Sequence, residues 1–168
     1  MNPVHINTAK APRRILNLES FAALELELVR LENAERAGTL RYTGNFSAGP
    51  IFMHLALPIQ YAIDGFPDMA PWPVRLLANK LLLPIIRRKP FSPGFRLGKK
   101  VQSKIWLEGL RFDDGLQALR HEMLRLDAGE RMNKPHAFFG HMQHAEWATY
   151  NLKHADLHLG FLDPGDGL

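Results

Sequence analysis

Lys153-His154-Ala155-Asp156-Leu157-His158-Leu159 is the stretch on which the reading of this chain turns. Leu152, Ala155 and Leu159 mark an apolar helical face, and His154 and His158 stand four residues apart beside it. Four residues of helix advance about 6 Å along the axis and about 40° around it, so both imidazoles leave one face. Upstream, Gln143 followed by Glu146 has the form of a capping box, which predicts a helix from near Gln143 to about Phe161.

Working outward, the remaining segments read as helices separated by prolines and glycines. Ser20 is suited to cap a first helix that runs through Ala37, with Leu24, Leu28 and Leu31 at helical spacing and Gly38 as the stop. A second helix is expected over Ser47–Asp64, closed by Gly65-Phe66-Pro67. Pro58 inside it offers no N–H to the carbonyl of His54, which predicts a kink there. Pro71-Trp72-Pro73 opens a third, shorter helix to about Arg87, and residues 89–112 read mainly as loop. A fourth helix is expected from Asp113 or Asp114 to Asp127, with Leu116, Leu119, Met123 and Leu126 on its apolar stripe. Residues 1–18, with Pro3 and Pro12 and no sustained period, read as an extended arm. No segment shows convincing period-two alternation. The expectation is one all-α domain over 1–168, a four-helix bundle with an extra short helix in a long crossover.

Composition narrows the function classes. The chain has 168 residues and no cysteine, which excludes a disulfide framework, a thiolate zinc site and a thiol nucleophile. Met1–Leu18 lacks the apolar core of a signal peptide, and the longest apolar run, Leu81–Ile86, is far short of the ~20 residues that span a bilayer. A cytoplasmic location is therefore expected. Net charge is +4, yet Arg75–Lys104 holds nine Lys or Arg residues with no Asp or Glu. Such a block suits phosphate, an anionic membrane surface or an acidic substrate, but charge runs are usually solvated faces, and that reading is preferred.

Eight histidines make chance pairs common, and His141 with His144 is one. His54 lies on the second helix among Met53, Leu55, Ala56 and Leu57, bordering the core as His154 and His158 do. Buried imidazoles without partners are costly. A shared metal explains three converging ones; three separate core histidines with backbone partners is the alternative. Asn151, three residues before His154, is a candidate to orient a ligand or a metal-bound water, or else a plain surface amide. Asp156 turns away from the histidine face and is expected in a structural salt bridge. His136, His141 and His144 are expected in loop and cap roles, and Trp106 and Trp147 in packing.

His136-Ala137-Phe138-Phe139-Gly140, Glu146-Trp147 and the Lys153–Leu159 stretch resemble the DinB/YfiT-like superfamily, and more narrowly its branch named domain of unknown function 1569. Arg13-Arg14-x-Leu16 and Phe46-Ser47-x-Gly49 followed by Met53-His54-Leu55-Ala56 match that branch too; Gln143 departs from it, standing where Ser or Thr is usual. The resemblance implies a four-helix bundle in which His54, His154 and His158 hold a divalent ion, zinc or nickel first, with positions open to water or substrate. It implies a metalloenzyme acting on a small molecule, a thiol-dependent S-transferase or a hydrolase, with a low-molecular-weight thiol as co-substrate; no catalytic acid or base is evident. Relatives are often dimers, so a homodimer is an analogy to test. Two alternatives stand beside this reading: a metal- or small-ligand-binding stress-response protein without turnover, and a basic anion- or membrane-surface-binding protein. No nucleic-acid recognition motif accompanies the charge.

Overall fold

The computed structural model describes residues 6–94, 106–107 and 109–165. It is mostly helical. In chain order it contains α1 (Phe21–Ala37), β1 (Arg41–Tyr42), α2 (Ala48–Asp64), α3 (Trp72–Leu81), α4 (Leu83–Arg88), α5 (Phe112–Asp127), α6 (His144–Leu159) and β2 (Leu162–Asp163). Residues 1–5 of the expected arm, and 95–105 and 108 of the expected loop, lie outside the described residues.

Local chemistry explains the helix ends. The Ser20 hydroxyl accepts from the Ala23 N–H at 3.0 Å, and Gly38 takes a left-handed conformation (φ 70°) that closes α1. At α6, the Gln143 N–H donates to Glu146 Oε2 at 2.8 Å, completing the expected box. The helix α2 continues through Pro58 to Asp64. The third helix departs from expectation: it ends at Leu81, and α4 begins at Leu83. Pro84 is the cause, since it has no N–H to continue the α3 ladder but fits the first turn of a new helix.

The core forms where α2 packs along α5 and against α6, with α1 contacting both α5 and α6. Leu24, Leu28 and Leu31 of α1 meet Phe52 and Ile59 of α2, Leu119 of α5, and Trp147 and Leu159 of α6 in one buried cluster. Each such side chain contributes about 1.5–3 kcal/mol by leaving water. The crossing of α2 on α5 is close because it is lined by glycine. A Cβ on Gly115 would stand 2.2 Å from the Gly49 carbonyl oxygen.

The two ends of the chain are tied together. β1 pairs antiparallel with β2, Arg41 opposite Asp163 and Tyr42 opposite Leu162. Two-residue strands are too short to show alternation, which is why the sequence pattern missed them. The arm is anchored by Arg14, whose Nε donates to the Leu162 carbonyl at 2.7 Å and whose Nη2 meets Glu27 Oε1 at 2.5 Å, both side chains buried. Asp156 takes part here, but not in the expected salt bridge: its Oδ1 accepts from the Leu16 N–H at 2.8 Å.

Candidate metal centre

The histidines are brought together by two helices that the core holds rigidly. His54 lies on α2 one residue before Leu55 and two after Phe52, both buried; Phe52 also meets Phe112 edge-on at 5.1 Å. His154 and His158 lie on α6, interleaved with buried Leu152, Ala155 and Leu159. Because α2 and α6 pack together, residues a hundred positions apart become neighbours. His54 and His154 are buried, and His158 is partly exposed.

The three rings form a propeller. Each pair of ring centroids is 4.7 Å apart, and the ring planes cross at 74°, 83° and 79°. One nitrogen from each ring falls within 4.8 Å of the other two, and the Nε2 atoms of His54 and His154 are 3.0 Å apart. Imidazoles bound to one ion at about 2.0–2.1 Å place their nitrogens about 2.9 Å apart at right angles and about 3.4 Å apart in a tetrahedron. The separation matches that range. Three histidines in this arrangement can bind a metal ion.

The electrostatics suit the same purpose. Burial pushes the pKa of His154 well below its ordinary value, with His158, His54 and His136 adding to the effect. Burial and then His54 lower that of His158 in the same way. Both rings therefore stay neutral at physiological pH, the form in which imidazole is a ligand. Among the described residues His154 Nδ1 is buried without a hydrogen-bond partner, so His154 lacks there the backbone partner expected of a merely structural core histidine. One turn earlier, Asn151 is buried rather than a surface amide; its Nδ2 contacts Met132 Sδ at 3.3 Å and its Oδ1 also has no partner among the described residues.

Aromatic rings wall the cluster. Trp106 stacks on His54 with centroids 4.1 Å apart and the planes 15° off parallel, and it meets His158 edge-on at 5.5 Å. Phe46 stacks on the outer side of Trp106 at 3.7 Å. Phe91 and Tyr150 lie 6.1 and 5.9 Å from the His154 ring. Burial pushes the Tyr150 phenol up to about 12, so it keeps its proton at neutral pH. Packing is thus the Trp147 role, its Nε1 donating to the Lys134 carbonyl at 3.1 Å, but Trp106 covers the histidines directly. Tyr150 was legible as the residue one turn before His154 on the same face; nothing in the sequence places Trp106 or Phe91 beside the cluster.

His136, His141 and His144 sit outside the cluster. His136 Nδ1 accepts from the N–H groups of Phe138 and Phe139 at 3.0 and 3.2 Å, which organises the loop before α6. His144 Nδ1 accepts from the Met132 N–H at 3.1 Å, while His141 is exposed, so that pair shares no site.

Fold and cluster together define a mostly helical protein with a three-histidine centre between two helices. The chain belongs to the family described as "Protein of unknown function (DUF1569)", whose pattern matches residues 11–165. No curated protein and no solved structure matches the chain significantly.

Proposed function

We propose that His54, His154 and His158 hold one divalent metal ion, zinc or nickel, and that the protein is a metal-dependent enzyme acting on a small molecule, a thiol-dependent S-transferase or a hydrolase. The observation that carries this reading is the propeller of three imidazoles with centroids 4.7 Å apart. The resemblance to the DinB/YfiT-like superfamily and its four-helix bundle supports it.

A divalent ion in such a site supplies Lewis acidity that favours ionisation of a water or thiol. The protein's own part is to arrange the surroundings. Imidazole binds a metal in its neutral form, so three histidines with no carboxylate among them would leave the ion its full charge. Trp106 and Phe46 shield His54 from solvent, which strengthens electrostatic interactions inside. Tyr150, protonated and tilted against His154, is a hydrogen-bond group for a substrate rather than a base.

The aromatic walls favour one second reading, a metal- or small-ligand-binding protein without turnover, since an apolar enclosure suits retention as well as reaction. The reading common to both is tested on protein prepared without a metal-binding tag. Elemental analysis is expected to find one divalent ion per chain. Chelation is expected to lower the Tm of the wild type and leave that of His154→Ala almost unmoved, because a ligand bound only to the native state stabilises it by mass action. Metal-free wild type, or equal shifts in both proteins, would overturn the metal. Thiol-transfer and hydrolysis assays on the loaded protein then separate enzyme from binder.

A further inference from the structure

The helix α3 is turned inside out. None of its residues is buried. Its inward side carries Arg75, Ala78 and Asn79, while Trp72, Leu77 and Leu81 stand outward at 69%, 61% and 57% exposure. Val74 and Leu76 are exposed beside them, and Ile85 of α4 extends the surface. An ordinary surface helix does the reverse, burying its apolar stripe.

The orientation is imposed by polar contacts on the inner side. Asn79 Nδ2 donates to the Phe139 carbonyl at 2.6 Å. Leu83 at the start of α4 is fully buried. Lys153 Nζ donates to the carbonyls of Ile86, Arg87 and Lys89 at 2.9, 2.7 and 3.1 Å, capping the C-terminal end of α4 with a positive charge. Arg87 pairs with Glu146 of α6. These bonds fasten α3 to the loop before α6, and α4 to α6 itself, with the apolar residues facing away.

Charge decides what the face meets. Lys80, Arg88 and Lys89 are exposed around it, and the sequence from Met69 to Leu107 contains no Asp or Glu. A second copy docked symmetrically on this face would bring like charges together. An anionic lipid surface supplies both complements, headgroups for the cations and an apolar boundary for the leucines and Trp72. We propose that α3 and α4 form an interfacial platform that docks the protein on anionic membranes, with α3 lying in the headgroup plane. No helix of the described residues is long and apolar enough to cross a membrane, so the contact is peripheral.

Vesicle sedimentation of the full chain tests this, with phosphatidylcholine vesicles alone and with one third phosphatidylglycerol. Binding is expected only to the anionic vesicles and is expected to weaken with salt, as surface attraction is screened over about 8 Å at physiological ionic strength. Each cation near such a surface gives roughly a fivefold gain in affinity, so Lys80→Glu/Arg88→Glu should weaken binding by tenfold or more. Leu77→Ser/Leu81→Ser should do likewise through lost apolar burial. Both pairs are exposed, so helix content and Tm should match wild type, which separates lost docking from lost folding. Absence of binding, equal binding to neutral vesicles, or binding indifferent to the leucine pair overturns the proposal. A wild-type dimer in sedimentation velocity that Leu77→Ser/Leu81→Ser dissociates also overturns it, assigning the face to a second copy. None of these outcomes depends on the histidine cluster.

Discussion

His136 and His154 are both buried imidazoles, and the difference between them is what surrounds their nitrogens. His136 accepts two backbone N–H bonds at Nδ1, a task only the neutral ring can perform, and burial lowers its pKa to about 3. His154 Nδ1 has no such partner among the described residues, and its Nε2 faces another imidazole. The first is a structural histidine, and the second is placed as a ligand would be. The His136 shift has a definite sign. A folded pKa below the unfolded value of about 6.5 gives stability that is complete above that value and lost as pH falls from there toward 3. His136→Leu should therefore cost about 1–3 kcal/mol near neutrality, from the buried Phe139 N–H and the part-buried Phe138 N–H left unpaired. The gap between wild type and variant should narrow as the medium is acidified from pH 7 toward 4. Urea unfolding across that range measures it; a gap that stays constant would mean that His136 titrates normally in the fold.

At the scale of elements, the α2–α5 crossing sets where His54 stands. Gly49 and Gly115 bring the two backbones together: a Cβ on Gly49 would lie 2.4 Å from the carbonyl oxygens of Leu110 and Arg111, and one on Gly115 would meet Gly49 itself. Two opposed effects follow from Gly115→Ala. Helix propensity favours alanine by about 1 kcal/mol. Overpacking at a rigid backbone contact costs typically 1–3 kcal/mol, occasionally more, and here the neighbour is a carbonyl that has nowhere to retreat. Net destabilisation is expected, with a lower Tm. A Tm equal to or above wild type would show that the helices part without cost. The same close contact explains why α2 carries its histidine with little freedom, since His54 is little more than one turn beyond Gly49.

The whole molecule is closed by one buried cation. Arg14 joins the N-terminal arm to Glu27 of α1, to the Leu159 carbonyl at the end of α6 at 3.3 Å and to the Leu162 carbonyl of β2 at 2.7 Å. Removing one partner of a buried pair leaves an uncompensated charge, which costs about 3–5 kcal/mol, whereas replacing both with apolar groups is often neutral. Arg14→Met is therefore expected to lower stability by that amount, and Arg14→Met/Glu27→Leu to recover a large part of it. Denaturant unfolding of the single and double variants checks this. A double variant no more stable than the single would mean that the carbonyl contacts, not the pair, hold the arm.

Helix ends were legible in the sequence because they are made by contacts within a few residues: Ser20 with Ala23, Gly38 with its left-handed φ, Gln143 with Glu146. The common face of His154 and His158 was legible for the same reason, since helical periodicity is local. Pro84 was in view too, but a proline near an expected helix end reads equally as a kink, a stop or a fresh start until packing chooses. Only the tertiary structure brought His54 to within 3.0 Å of His154, laid Trp106 over both α2 and α6 histidines, and bound Asp156 to the arm instead of to a cation. It also turned the apolar side of α3 outward, which no periodicity can foretell, because the pattern of a helix names its faces and leaves the choice of inner face to what the neighbours offer.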